Sequence, residues 1–280
     1  MLDKLSNSWE LVKSSAEVLK ADKELLLFPL ISGIAAILVT IGFFVPTFLV
    51  GGMLRGGEGT LPVIGWVLLF LYYLVQYTVI FFFNTALVGA AMIRLDGGDP
   101  TVQDGLRIAW SKIGPILGYA AIAATVGMVL RALSERAKGL SRLLVGMIGM
   151  AWNLATFLVV PVLVTHDIGP IDAIKESART LKRTWGEQIA GNLGLGLFFG
   201  MVWILLILSC VGTVVAVGTL GIPWLAIGVG VAFLLIFVLL ALVQSALSGI
   251  YSAALYRFAT KGEAGVMFER QKLEAAFVPR

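Results

Sequence analysis

Six long apolar runs, each free of charge through its middle, decide what this chain can fold into: Leu25 to Val50, Val63 to Ile93, Gly114 to Leu130, Leu143 to Thr165, Ile189 to about Val217 and Leu225 to Tyr256. A helix needs about 20 apolar residues to cross the hydrocarbon core of a bilayer. In lipid the backbone must satisfy its own polar groups, which favours helices. The runs therefore predict an all-α membrane protein with six transmembrane helices. The whole chain is 59% hydrophobic and only 14% charged, against roughly 25% charged in soluble domains. The second run is longer than the core requires and should tilt or project. The third is marginal in length, and Arg131 to Arg142, RALSERAKGLSR, follows it. Whether residues 114–142 cross fully, run past the bilayer as a solvated helical pair, or form a re-entrant segment stays open.

Between the runs lie amphipathic segments. In Gly169 to Gln188, the residues Ile171, Ile174, Ala178, Leu181 and Trp185 recur at spacings of three and four, which places them on one face of a helix. Lys175, Glu176, Arg179, Lys182 and Arg183 lie off that stripe, and Pro170 suits the first helical position. Leu5, Trp9, Val12, Ala16 and Leu19 repeat the pattern within residues 3–24, and Val102, Leu106, Ala109 and Ile113 within a shorter helix at about residues 100–112. Asp99 and Pro100 there read as N-cap and first helical position. These are expected to be about three cytoplasmic, in-plane helices. The chain then reads as a single membrane domain, residues 1–256, in which a surface helix plus a hairpin is quasi-repeated over 3–93, 100–165 and 170–256. Residues 257–280 form a polar tail. LDGGDPTVQDGLRIAW and THDIGPIDAIKESART look alike at two of the junctions.

Basic residues set orientation. With the N-terminus inside, most of the 21 basic residues fall on the cytoplasmic side, and only Arg55, Arg131, Arg136, Lys138 and Arg142 fall outside. Both termini are thus expected in the cytoplasm, with the protein multi-pass in the plasma membrane. The formal net charge of +4 is read through this distribution. No basic run interleaved with stacking aromatics lies outside the spans, so nucleic acid is not an expected partner. The expected partners are the bilayer and anionic lipid headgroups, met by Lys175, Arg179, Lys182 and Arg183. A homo-oligomer is compatible with the small-residue pairs Gly114/Gly118, Gly196/Gly200 and Ser245/Gly249, although packing within one chain explains them equally.

Chemistry is sparse. The spans hold no Asp, Glu, Lys or Arg away from their ends, which disfavours ion-coupled transport. One His and one Cys do not supply a zinc site. No nucleophile elbow, phosphate loop or metalloprotease motif is present. No enzymatic activity, metal or cofactor is expected. Gln76, Asn84, Asn153 and Gln244 are the deepest polar side chains, and either glue helices together or line a hydrated path. His166 and Asp167 mark a membrane edge. They read as an ordinary helix end or as a proton-sensitive gate, since histidine titrates near physiological pH.

Three stretches carry a resemblance: Ser8 to Pro29 (SWELVKSSAEVLKADKELLLFP), Pro161 to Ser177 (PVLVTHDIGPIDAIKES) and Ala254 to Gly262 (ALYRFATKG). They resemble an uncharacterised bacterial and archaeal family of six-span membrane proteins, a domain of unknown function, over nearly the whole chain. The resemblance brings no functional residues. The layout is more distantly similar to the membrane domains attached to glycerophosphodiester phosphodiesterases, whose catalytic domain has no counterpart here. The best expectation is a passive pore or channel for ions or small solutes. The alternative is a non-conducting membrane scaffold that senses lipid or binds a partner.

Overall fold

The computed structural model describes residues 13, 15–53, 63–185, 194–219 and 222–261. Among them every regular element is helical and no strand occurs. A 3-10 turn, Lys23–Leu26, leads into α1 (Leu27–Met53). Then follow α2 (Val63–Leu95), α3 (Val102–Ser111), α4 (Ile113–Arg136), α5 (Leu140–Thr156), α6 (Val159–Thr165), α7 (Pro170–Trp185), α8 (Gly194–Gly218) and α9 (Pro223–Lys261). Six helical stretches are long and apolar enough to cross a membrane, with α5 and α6 together counting as one. That is the pattern of a multi-pass membrane protein.

α2 is the hub. Its 33 residues reach roughly 50 Å at the helical rise, and it packs against α1, α3, α4, α6 and α9. Along its seam with α4 runs an aromatic row, in which Tyr73, Tyr77, Phe81 and Tyr119 follow one another at ring separations of 6.1, 5.6 and 4.4 Å. The end of α2 is closed by Gly97, at φ 88°. Its N–H meets the Arg94 carbonyl, and the Gly98 N–H meets that of Ile93 at 3.0 Å. This pairing absorbs two of the carbonyls a helix end leaves open, and it needs the left-handed backbone that glycine adopts freely.

Three boundaries differ from expectation. The N-cap of α3 is Thr101 rather than Asp99. Its hydroxyl accepts from Asp104 N–H and the Asp104 carboxylate accepts from Thr101 N–H, a reciprocal box. Asp99, displaced from that role, pairs with Arg94 at 3.0 Å. Second, the fourth apolar run is broken at Phe157–Leu158 into α5 and α6. The Leu158 N–H there donates to Ser177 Oγ at 3.0 Å, a buried bond from α7. Third, α9 continues to Lys261, so Arg257 belongs to the helix and pairs with Asp96; residues 262–280 lie outside the described residues. The segment after Leu130 is helical to Arg136, turns at Gly139 (φ 56°) and resumes at Leu140.

Burial is lopsided. Almost all buried side chains sit where α1 begins and α2 and α9 end: Val18, Leu25 and Phe28; Thr85 to Leu95; Leu158 to Leu163; and Ala246 to Tyr256. Ile116 to Ala124 at the start of α4 joins them. Away from that end most side chains are exposed, α5 buries no residue, and α8 packs chiefly on α9.

Candidate functional site at the packed end

The short helices α3 and α7 dock on the packed end through small residues; of the amphipathic segment read at 3–24, residues 15–21 are helical and 1–12 lie outside the described residues. On α3 these are Gly105 and Ala109. A Cβ on Gly105 would lie 2.7 Å from the Ala86 carbonyl oxygen and 2.5 Å from Phe28 Cζ, so only glycine permits this approach. On α7 the buried face is Ala173, Ser177, Thr180 and Leu181. That face is rotated from the apolar stripe read in the sequence: Ile171 is 59% exposed, whereas Ile174 is half-buried. The rotation follows from contact geometry. Ala173 and Ser177, four apart, let α7 come close, and Ser177 supplies the partner that the broken fourth run needs. A small-residue pair at that spacing was the available signal.

The link between α6 and α7 ties the site together. His166 leaves α6 in extended conformation, φ −121° and ψ 147°. Its Nε2 lies 2.8 Å from Tyr256 Oη on α9, to which Thr165 Oγ1 also donates at 3.2 Å. Asp167 points elsewhere, to Lys112 at the α3–α4 junction, and Lys112 Nζ also donates to the His166 carbonyl at 3.1 Å. The ammonium of Lys112 holds the exposed Asp167 carboxyl below its usual range. His166 and Asp167 are therefore neighbours with separate partners, and each pins one junction to another helix.

Two adjoining depressions share His166 and Glu176. One, about 460 Å³, is lined also by Ile168, Asp172, Lys175 and Arg179. The other, about 440 Å³, is walled by Met92 of α2, by Asp96 in the turn after it and by Tyr256, Arg257, Thr260 and Lys261 of α9. Most charges here are already paired: Lys175 with Asp172 and Arg179 with Glu176, both at 3.1 Å, and Arg257 with Asp96. Lys182 and Lys261 are exposed and make no ion pair among the described residues. The Arg183 side chain lies outside the described residues.

The four amides do not converge. Gln244 accepts from Trp203 Nε1 at 2.6 Å. Gln76 has its Oε1 buried without a partner. Asn153 is exposed on α5. Asn84 lines a cleft between α1, α2 and α9. Among the described residues no hydrogen bond joins any two of them, and no group of three His, Cys, Asp or Glu that could hold a metal occurs.

A hub helix and six apolar stretches define a multi-pass helical protein, with a polar groove at one end of the described residues. Residues 63–266 match a family of unknown function, DUF6159, and the chain belongs to it. No curated protein and no solved structure shows a significant match.

Proposed function

We propose that the protein is a non-conducting membrane scaffold that senses lipid through its packed end, the groove around His166 and Glu176 receiving anionic headgroups. One observation carries this: six of the seven ion pairs among the described residues lie at that end, while the amides that a conducting path would use are scattered. Lys261 lines the groove and makes no ion pair among the described residues. The ion pairs of Lys175 and Arg179 are solvent-exposed, so headgroup phosphates can compete for them at little cost. The basic residues cluster at this end, which favours a cytoplasmic groove, cytoplasmic termini and α3 and α7 lying along the inner leaflet of the plasma membrane.

The test is thermal stability of the full chain in detergent as anionic phosphatidylglycerol or neutral phosphatidylcholine is added. Phosphatidylglycerol should raise the midpoint more, and Lys175→Glu with Arg179→Glu should abolish the difference. Equal responses to the two lipids would remove the headgroup site.

The second reading is a passive pore made by a homo-oligomer. It is favoured by the exposed Asn153, a polar group that further copies could satisfy. Flux of ions or small solutes from proteoliposomes would establish it in place of the scaffold.

A further inference from the structure

We infer that the cleft between α1, α2 and α9 is a binding site for an uncharged lipid that carries a hydroxyl or carbonyl group. Three polar side chains from three helices meet there: Ser32 of α1, Asn84 of α2 and Ser245 of α9. None of them makes a side-chain hydrogen bond among the described residues. Elsewhere in the apolar helices, threonine hydroxyls are spent on a carbonyl one turn back: Thr40 on Ala36 at 2.8 Å, Thr78 on Leu74 at 2.7 Å and Thr85 on Phe81 at 2.7 Å. Ser32, Asn84 and Ser245 instead keep their capacity facing the cleft, and in hydrocarbon such groups are costly unless something pairs with them.

Depth narrows the occupant. At the helical rise, Ser32 is about 13 Å along the chain axis from Lys23, Asn84 about 15 Å from Arg94 and Ser245 about 18 Å from Arg257. In a core about 30 Å thick that is near the midplane, too deep for a phospholipid headgroup seated at the packed end. The lining has no charged residue and includes Gly33, Ala36, Phe83 and Leu242. A charged ligand would have to leave water with no counter-charge to meet it. The volume, about 270 Å³, lies just under the range of roughly 300–1,000 Å³ usual for small-molecule sites. It suits a length of chain bearing one polar group. Asn84 can both donate to and accept from that group, and each serine can do either.

This inference rests on the six helices lying in a bilayer, but not on the headgroup site, which uses none of these residues. The probe is hexadecanol carrying a diazirine beside the hydroxyl, photolysed with the full chain in phosphatidylcholine nanodiscs and mapped by peptide. Label is expected on residues 29–36, 80–84 and 241–245. The matching diazirine alkane, lacking the hydroxyl, should label them about fivefold less, the loss of roughly one net hydrogen bond. Gly33→Leu should block the label by filling the cleft, since a Cβ at Gly33 meets nothing within 4 Å and the packing around it is undisturbed. Asn84→Leu should bring the alcohol down to the level of the alkane. Equal labelling by alcohol and alkane in the wild type, or labelling of Gly33→Leu at the wild-type level, overturns the site, and the wild-type comparison stands even if a variant fails to fold.

Discussion

Where α1 begins and α2 and α9 end, helices interlock through glycines, alanines and a serine, and Leu87, Ile116, Leu158, Ile250 and Leu255 are sealed from the surface. Away from that end the long helices present Ile37, Leu38, Leu143, Leu205 and Leu239 outward, all more than half exposed. Hydrophobicity does not separate the two ends; both are rich in it. They differ in what covers the apolar surface. One end is covered by protein, with caps, ion pairs and close backbone contacts, and the other is left for the surrounding solvent. In water that second surface would be a liability, and in lipid it is neutral. Specificity of fold must then come from the packed end.

The largest expected effect breaks that end directly. Gly105→Val would drive a branched side chain into the Ala86 carbonyl and the Phe28 ring. Overpacking of this kind costs about 1–3 kcal/mol or more, because backbone on one side cannot give way. Gly42→Val, on the exposed half of α1, meets nothing within 4 Å and should leave the unfolding midpoint close to wild type. Midpoints measured in one detergent check both, and similar losses from the two variants would mean that the two ends are equally constrained.

Next comes Ser177→Ala. It leaves the Leu158 N–H buried with no partner, a loss of about 1–3 kcal/mol, and should loosen the break between α5 and α6. The comparison is Thr213→Ala on α8, where the hydroxyl only returns to the Ser209 carbonyl at 2.8 Å and the helix keeps its own bonds. A midpoint drop in Ser177→Ala without one in Thr213→Ala is the expected result.

These two sites show what was legible in the sequence. The apolar runs carried the six helices, because length and absence of charge suffice where lipid is the solvent. The surface helices were legible as helices from their spacing. Which face of α7 turns inward was not, because an apolar stripe marks affinity for a nonpolar phase of either kind, protein or lipid. Ser177 reads as polar, yet it is buried because the backbone of a distant residue needs it. Asp99 looked like an N-cap next to Pro100. Thr101 took the role because Asp104, three residues on, completes the box. His166 and Asp167 stood out as a pair from their chemistry, and their separate partners on α9 and at the α3–α4 junction depend on contacts that no local pattern encodes. Asn84 was visible as a deep amide, but Ser32 and Ser245 beside it were not, since convergence from three helices is a tertiary fact.

The smallest expected effects are within the packed end, where two carboxylates should respond to pH with opposite signs. Asp167 has its pKa lowered by its hydrogen bond and charge pairing with Lys112. Its contribution to stability is present above the ordinary aspartate value of about 3.9 and fades as pH falls through the lowered folded value. Asp22 is buried, with Oδ2 lacking a partner, and burial raises its pKa. The folded state then holds its proton more tightly than the unfolded chain, so stability declines as pH rises from about 3.9 through the raised folded value, and the cost is complete above it. Asp167→Asn should therefore lower the unfolding midpoint at neutral pH, and Asp22→Asn should raise it. Both curves should approach wild type in acid, where the carboxyls are protonated. Asp167 faces water, so its effect is screened and should shrink in high salt, whereas that of Asp22 should persist. If salt removed both equally, the packed end would be wetter than its buried side chains indicate, and the contrast between the two ends would narrow to one of packing alone.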